Sequence, residues 1–246
     1  MDILVCISKT PDTTAKIAFT SGNTKYNEEG VQFIMNPYDE WYALVKALEI
    51  KEAQGGNVVI INVGPSENDT IIRKGLAIGA DEAVRVDADP KDPMFVAQQI
   101  ANYAKSKSFG AIFLGKETID FNGSEVGSIL SEMMDWPFVS YASALEMSGD
   151  TAKITRDIEG GIEVCEIQGP FVLSAAKGLA EQRIPNMRGI MTAKTKSLEV
   201  LPASNVAETI KVVQFIVPPG KTHVKMVNPE DMNELVRLLH EEAKVI

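Results

Sequence analysis

Gly115-Lys116-Glu117-Thr118-Ile119-Asp120-Phe121-Asn122-Gly123-Ser124-Glu125-Val126-Gly127-Ser128 is the stretch around which the 246-residue chain is organised. It follows the short apolar run Ala111-Ile112-Phe113-Leu114 and leads into a helical run that ends at Asp135-Trp136-Pro137. A strand that passes into a loop of glycines and small polar residues, and then into a helix, can offer backbone N–H groups to a phosphate. An ordinary strand, loop and helix connection has the same pattern. The stretch alone therefore describes the shape of a nucleotide site without assigning a function.

Working outward, residues 3–7 form a short, uninterrupted apolar run and read as a buried strand. Residues 8–14 read as a loop at its carboxyl end, where open α/β sheets place ligands. Residues 18–32 are polar and glycine-punctuated and read as a hairpin or excursion. Asn36-Pro37-Tyr38-Asp39-Glu40 is a helix start, with Asn36 as the cap, Pro37 in the first helical position and two acids in the first turn. Trp41, Leu44, Val45 and Leu48 keep the spacing of one apolar face, and Gly55-Gly56 ends the helix. A second buried strand at 57–63, a helix at 68–78, a strand at 82–86 and a helix at 93–106 follow. Strands alternating with helices predict a mainly parallel open sheet covered on both faces.

After Pro137 the period changes. Residues 151–158 alternate, Gly160-Gly161 predicts a two-residue turn of a primed type, and 162–167 return as the second strand of a hairpin. Residues 177–196 are polar and basic and read as an exposed surface loop. Residues 197–222 carry Pro202, Pro218 and Pro219 and predict an extended arm. Asn228-Pro229-Glu230-Asp231 then starts a last helix with Leu235, Leu238 and Leu239 on its face. The expected fold class is α/β: a mainly parallel open sheet with helices on both faces, an added antiparallel hairpin portion, and an extended C-terminal arm ending in a helix.

Composition excludes several function classes. With 45% hydrophobic and 24% charged residues the chain reads as globular, and a formal charge of −10 with no basic stripe argues against nucleic-acid binding. No run approaches the roughly 18 apolar residues of a membrane span, and the amino terminus lacks the pattern of a secretory leader. Cys6 and Cys165 lie far apart in apolar contexts, as expected of core residues in a reducing cytoplasm. His223 and His240 lack metal-ligand spacing, and nucleophile elbows, Walker loops and Rossmann fingerprints are absent. Asp157, Glu159 and Glu163 read as a solvated rim around a turn. Any redox work would fall to a bound cofactor.

Met35-Asn36-Pro37-Tyr38-Asp39-Glu40, then Gly64-Pro65 ahead of Arg73-Lys74-Gly75-Leu76-Ala77-Ile78-Gly79-Ala80-Asp81, then Gly115-Lys116-Glu117-Thr118-Ile119-Asp120 through to Asp135-Trp136-Pro137, together resemble the β subunit of electron transfer flavoproteins. Arg156-Asp157-Ile158-Glu159-Gly160-Gly161 and Gly189-Ile190-Met191-Thr192-Ala193-Lys194 extend the likeness over nearly the whole chain in the right order. The resemblance implies a heterodimer whose α subunit holds the redox-active FAD, while this subunit holds an adenine nucleotide, AMP, that supports assembly. It further implies that Cys6, Asn36, Pro37, Tyr38, Asp39, Val63 and residues 115–126 line the nucleotide. Thr13 and Tyr38 would lie near the partner's flavin. The loop 177–196 would dock flavin-dependent dehydrogenases through Leu179 and Arg183. Electrons would pass on to a membrane-linked quinone reductase, as in fatty acid β-oxidation. On this reading residues 1–196 form the nucleotide-binding domain, and 197–246 an arm and helix that pack on the partner subunit.

The chain departs from the family pattern in two places. The docking loop lacks a proline between Glu181 and Arg183, and Ile184 stands where an aromatic residue is common. Phe121-Asn122-Gly123-Ser124-Glu125-Val126 replaces a run of Asp, Asn, Gln and Thr found in AMP-binding members, which removes a hydroxyl at Val126 and adds a charge at Glu125. Val126-Gly127 and Pro11-Asp12-Thr13 resemble members whose β subunit carries its own FAD and accepts hydride from NADH. That alternative stays open, as does a stand-alone adenine-nucleotide-binding regulatory protein.

Overall fold

The computed structural model describes residues 1–90, 92–207, 209–220 and 223–246. In chain order its elements are β1 (Ile3–Cys6), β2 (Lys9–Pro11), β3 (Phe19–Thr20), β4 (Lys25–Tyr26), β5 (Phe33–Met35), α1 (Asp39–Gln54), β6 (Val58–Gly64), α2 (Asp69–Ile78), β7 (Glu82–Asp87), α3 (Pro93–Lys105), β8 (Ala111–Gly115), α4 (Val126–Met134), β9 (Phe138–Ser148), β10 (Thr151–Ile158), β11 (Gly161–Gln168), β12 (Phe171–Ala175), α5 (Met187–Ala193), β13 (Leu198–Pro202) and α6 (Met232–Arg237). Nine strands make one sheet in the order β11-β10-β9-β12-β8-β1-β6-β7-β13. From β9 to β13 every neighbouring pair is parallel, and only β10 runs antiparallel to both its neighbours. The expected class, a mainly parallel sheet flanked by helices with an added hairpin, is the class observed.

Alternate residues of the central strands feed two cores. Ile3 and Val5 of β1 pack with Leu44, Ile72 and Leu76 of α1 and α2. Leu4 and Cys6 pack on the opposite face with Ala97, Ile100 and Leu130 of α3 and α4. Each fully buried Leu or Ile contributes about 1.5–3 kcal/mol, so a strand buried on both faces has no polar position to give up and reads as a continuous apolar run. The chain moves from β1 to β6 and β7 on one side, then returns through α3 to β8 on the other side of β1. Strand order reverses there, so the carboxyl ends of β1 and β8 frame the crevice where such sheets take ligands.

Several local expectations need correction. Residues 9–11 are not loop: they form β2 and pair antiparallel with β5. Asn36 does not cap α1, and Pro37 is not its first residue; the helix starts at Asp39 behind Tyr38, whose φ is 64°. The hairpin turn is Glu159-Gly160, since Ile158 pairs with Gly161, and positive φ falls on Gly160 alone, so the turn is not of the primed type with two left-handed residues. The last helix is capped by Asp231, which accepts from the Glu234 amide, while Asn228 instead accepts from Glu230. β9 went unread because its inward residues, Val139, Ala142 and Leu145, are spaced around a register shift rather than strictly alternating.

The region 197–222 is tied to the rest of the fold at several points. Leu198–Pro202 is an edge strand parallel to β7. Beyond it, Gln99 exchanges two hydrogen bonds with the backbone of Ser204, at 3.0 and 2.8 Å. Buried Asp92 accepts from the Thr209 amide, from Thr209 Oγ1 at 2.6 Å, from the Ile210 amide at 3.0 Å and from the Met94 amide at 2.8 Å. Phe215 stacks on Phe19 at 4.6 Å and donates its amide to Asn23 O. Glu208, Lys221 and Thr222 of the expected arm lie outside the described residues.

Burial alone would raise the Asp92 carboxyl, but the hydrogen bonds from Thr209, Met94 and Ile210 outweigh it and hold its pKa at about 2. A depressed carboxylate contributes stability that is fully present above about pH 4 and is lost as pH falls toward the folded value. The arm is therefore expected to stay fastened at mildly acidic pH and to loosen only toward pH 2. Asp92→Ala should raise amide exchange at Thr209 and Ile210 by at least about tenfold near neutral pH while the central strands keep their protection. Hydrogen-exchange mass spectrometry reads both quantities, and unchanged exchange at 209–210 would show that Asp92 is not the fastener.

Candidate functional site

The site is assembled from the loop after β8, the entry to α1 and the ends of β1 and β6. Its base is Asn36, which is fully buried. Asn36 Nδ2 donates to Glu117 O at 2.9 Å, and Asn36 Oδ1 accepts from the Ile119 amide at 3.1 Å. Its backbone amide donates to Ser8 O at 2.9 Å. One side-chain amide thus satisfies both polar groups of the loop facing it and joins that loop to the end of β1.

Gly115 lets α1 approach. A β-carbon there would lie 2.9 Å from Glu40 Cγ and 3.1 Å from Glu40 N, closer than real contacts allow. Beyond it Lys116 donates its amide to Ala175 O, pairs with Glu117 at 3.3 Å and lies 5.5 Å from the centre of the Tyr141 ring. Residues 116–119 are half-buried; Asp120, Phe121, Asn122, Gly123, Ser124 and Glu125 are exposed. Asn122 and Ser124 take positive φ, 50° and 54°. Glu125 precedes α4 without capping it through its side chain. Inside a helix the N–H groups of its first residues, here Val126, Gly127 and Ser128, have no partner, and no acidic residue sits in that turn. Gly127 has its own packing reason, because a β-carbon there would meet the Phe138 ring at 2.9 Å.

On the other flank Val63 and Gly64 end β6 above two buried amides that sequence reasoning missed. Asn62 Nδ2 donates to Ile7 O at 2.8 Å, and Asn68 Nδ2 donates to Asn62 Oδ1 at 2.9 Å. Asn68 Oδ1 is buried without a partner among the described residues. A signal did exist: Asn62 is the one polar residue in an otherwise apolar strand. Cys6 is buried at the end of β1, where desolvation, with Glu40 adding to it, drives its thiol far above the ordinary range, so it is not a nucleophile.

The crevice is acidic. Burial pushes Asp39 up to about 6; Lys116 opposes that rise and Glu117 adds to it. Burial would lower Lys116, but its hydrogen bond to Glu117 and the charges of Asp39 and Glu117 raise it, so Lys116 stays cationic. Tyr38 lies at the mouth, 53% exposed, in a backbone conformation that costs a bulky residue about 1–3 kcal/mol.

The predicted residues do not all converge. Asn36, Pro37, Tyr38, Asp39 and the 115–126 loop meet around α1, with Cys6 and Val63 on the adjoining strand ends. Thr13 lies beyond the Pro11 end of the β2 and β5 ribbon and Tyr38 beyond its Met35 end, so the ribbon separates them. Leu179 is not an exposed anchor: only 2% of it is accessible, because the turn at Gly178, with φ 104°, folds it back into the core beneath α1 and β12. Arg183 is engaged in two bonds to Glu52, at 2.6 and 3.1 Å, and accepts from Trp41 Nε1 through its carbonyl. The large apolar side chains that this segment does expose are Ile184, Met187, Ile190 and Met191, the last three on α5, a helix inside the stretch expected to be loop.

Comparison with known proteins places this geometry. The model of one protein family, described as electron transfer flavoprotein domain, matches residues 23–206. The chain is similar to the electron transfer flavoprotein subunit beta of Bacillus subtilis (strain 168), 35% identical over 260 residues that span all of both chains. It is also similar to the protein of the same name from Bradyrhizobium diazoefficiens, 31% identical across all of both chains, and to that from Homo sapiens, 30% identical over 94% of each.

Asn36→Ala would leave the Glu117 carbonyl and the Ile119 amide unpaired in a largely buried place, at about 1–3 kcal/mol for each. The expected result is a loss of about 2–6 kcal/mol in denaturant unfolding together with faster amide exchange confined to 117–122. Stability loss without local exchange at 117–122 would mean that the loop is held by something other than Asn36.

Proposed function

This chain belongs to the electron transfer flavoprotein family as a β subunit, and from that premise we infer that it holds an adenine nucleotide, AMP, in the crevice between β1 and β8. The observation that carries this reading is the coincidence of three features at the strand-order reversal. They are a loop clamped by Asn36, a helix α4 whose first-turn N–H groups are unpaired within the helix, and Gly115, which lets α1 close on the strand end. The donor set fits a phosphate-bearing ligand: backbone N–H groups at Val126, Gly127 and Ser128, with Lys116 as the only basic side chain of the stretch. Asn68, whose side-chain amide lies close under Gly64, leaves its buried Oδ1 without a partner among the described residues on the Val63 flank.

The partner α subunit holds the FAD, which supplies the one-electron chemistry. This chain flanks it: Tyr38, at the mouth of the crevice, and Thr13, beyond the other end of the ribbon, bracket one edge of the flavin surroundings. The segment 177–196 docks flavin-dependent dehydrogenases, from which electrons pass to a membrane-linked quinone reductase. In docking, Ile184 and Met187 present the first apolar contact, and Arg183 must exchange Glu52 for a partner carboxylate. Leu179 supports the segment from beneath, so its engagement by a partner requires the turn at Gly178 to open. The Val126-Gly127 pair does not favour FAD in this subunit, since the glycine is explained by Phe138.

Denaturing the purified heterodimer and identifying what is released tests the assignment. One FAD and one AMP per heterodimer are expected; two FAD and no AMP overturn the AMP reading, and a stable monomer that recruits no flavin-bearing partner overturns the subunit reading. For docking, Ile184→Asp with Met187→Asp is expected to slow electron transfer from dehydrogenases by at least about tenfold, the scale of an interface anchor, with nucleotide content unchanged. Stopped-flow flavin absorbance measures the rate, and an unaltered rate rules the segment out.

A further inference from the structure

Glu40 is a crevice residue to which nothing so far gives a role. It follows Asp39 in the first turn of α1 and is 4% exposed. Its Oε2 accepts from the Ser8 amide at 2.6 Å, and its Cγ packs against Gly115 where a side chain would otherwise sit. The carboxyl group is thus wedged between the ends of β1 and β8. From β1 it faces Cys6, from its own helix Asp39, and from the loop after β8 Asp120. Each of these is neutral or negative. Among the described residues no lysine or arginine pairs with Glu40; the nearby basic group, Lys116, is taken by Glu117 and by the charge of Asp39.

We propose that Glu40 belongs to the nucleotide site and couples ligand binding to a proton: the crevice takes a phosphate-bearing ligand when Glu40 is neutral and repels it when Glu40 is ionised. This rests on the nucleotide reading given above and deepens it. A buried carboxylate that Ser8 alone hydrogen-bonds, with no cation and two acidic neighbours, is already poorly stabilised, and a phosphate bound in the crevice adds negative charge beside it. Ligand charge and Glu40 charge therefore exclude one another, and binding draws a proton onto Glu40 Oε1 or Oε2 from solvent.

Titration sets the window. Burial lifts Glu40 to about 8, the hydroxyl and amide of Ser8 pull against it, and Asp120 and Asp39 add to the rise. Asp39 has finished ionising below that range, and the Cys6 thiol ionises far above it. A bound phosphate raises the Glu40 value further. Affinity is then level below the free-state value and falls above it, by at most about tenfold per pH unit, until the bound-state value is reached.

The test is AMP binding to the full-length chain by isothermal titration calorimetry between about pH 7 and about pH 9, a range in which the AMP phosphate keeps its second charge throughout. For the unmodified chain Kd is expected to weaken about tenfold across the range, with protons taken up from the buffer. In Glu40→Gln, whose amide oxygen still accepts from Ser8, it should stay within about twofold. Adenosine, which has no phosphate, should bind the unmodified chain with a level profile, and this arm does not require the variant to fold. A level AMP profile in the unmodified chain, an equal slope in Glu40→Gln, or an equal slope for adenosine overturns the proposal. Absence of AMP binding at about pH 7 overturns the nucleotide reading itself, so the two failures are distinguishable.

Discussion

The buried amide of Asn36 is the constraint on which the crevice depends. It is the point where three segments distant in sequence, the end of β1, the entry to α1 and the loop after β8, are made to share one set of hydrogen bonds. Each bond adds only about 1 kcal/mol net, but leaving its partners unmade in the interior costs more, so the arrangement is closer to all-or-none than its individual strengths suggest. Gly115 and Glu40 complete the same junction from the other side. With the base fixed, Tyr38 can be kept at positive φ, and the exposed tip of the loop, from Asp120 to Glu125, remains free to meet a ligand.

Charge gives the crevice its second property. Two carboxyl groups, Asp39 and Glu117, act on one lysine, Lys116, and Asp39 and Glu40 both sit above the ordinary carboxylate range because burial outweighs what their neighbours supply. On the proposed nucleotide reading, such a site takes a phosphate through oriented backbone N–H groups rather than through cations. The same logic appears in reverse at Asp92, where the Thr209 hydroxyl and three backbone amides converge on one carboxylate and lower its pKa. In both places the main chain does the electrostatic work that arginine or lysine does in basic nucleotide sites.

How much of this was legible in the sequence follows from what each residue answers to. The parallel strands were readable because burial on both faces leaves an apolar run, continuous at 3–7 and 111–114 and broken within β6 only at Asn62. The register shift in β9 broke the alternation that would have revealed it. Asn36 was singled out for the wrong work: beside Pro37 it matches a helix cap, and nothing local announces that its partners are Glu117 and Ile119. Glu40 looked like one more first-turn acid, since its burial comes from Gly115, seventy-five positions away. Leu179 looked exposed because its neighbours are polar, while a single left-handed glycine returns it to the core. Long-range partners and backbone turns, not composition, account for the misses.

The place of β12 in the sheet has a consequence for how the chain is made. It lies between β8 and β9, yet it follows both of them, and the whole β10 and β11 hairpin, in the sequence. A chain synthesised as far as Gln168 contains β1, β6, β7 and β8, but β8 lacks its β12 partner on one edge and β9 has only the hairpin beside it. The sheet stays in two parts until Phe171–Ala175 emerges and joins them with parallel pairing on both sides. Synthesis order therefore imposes a late closing step, during which two apolar strand edges are open to the wrong strand. That step makes the interval between Gln168 and Ala175 the one in which a chaperone has most to protect.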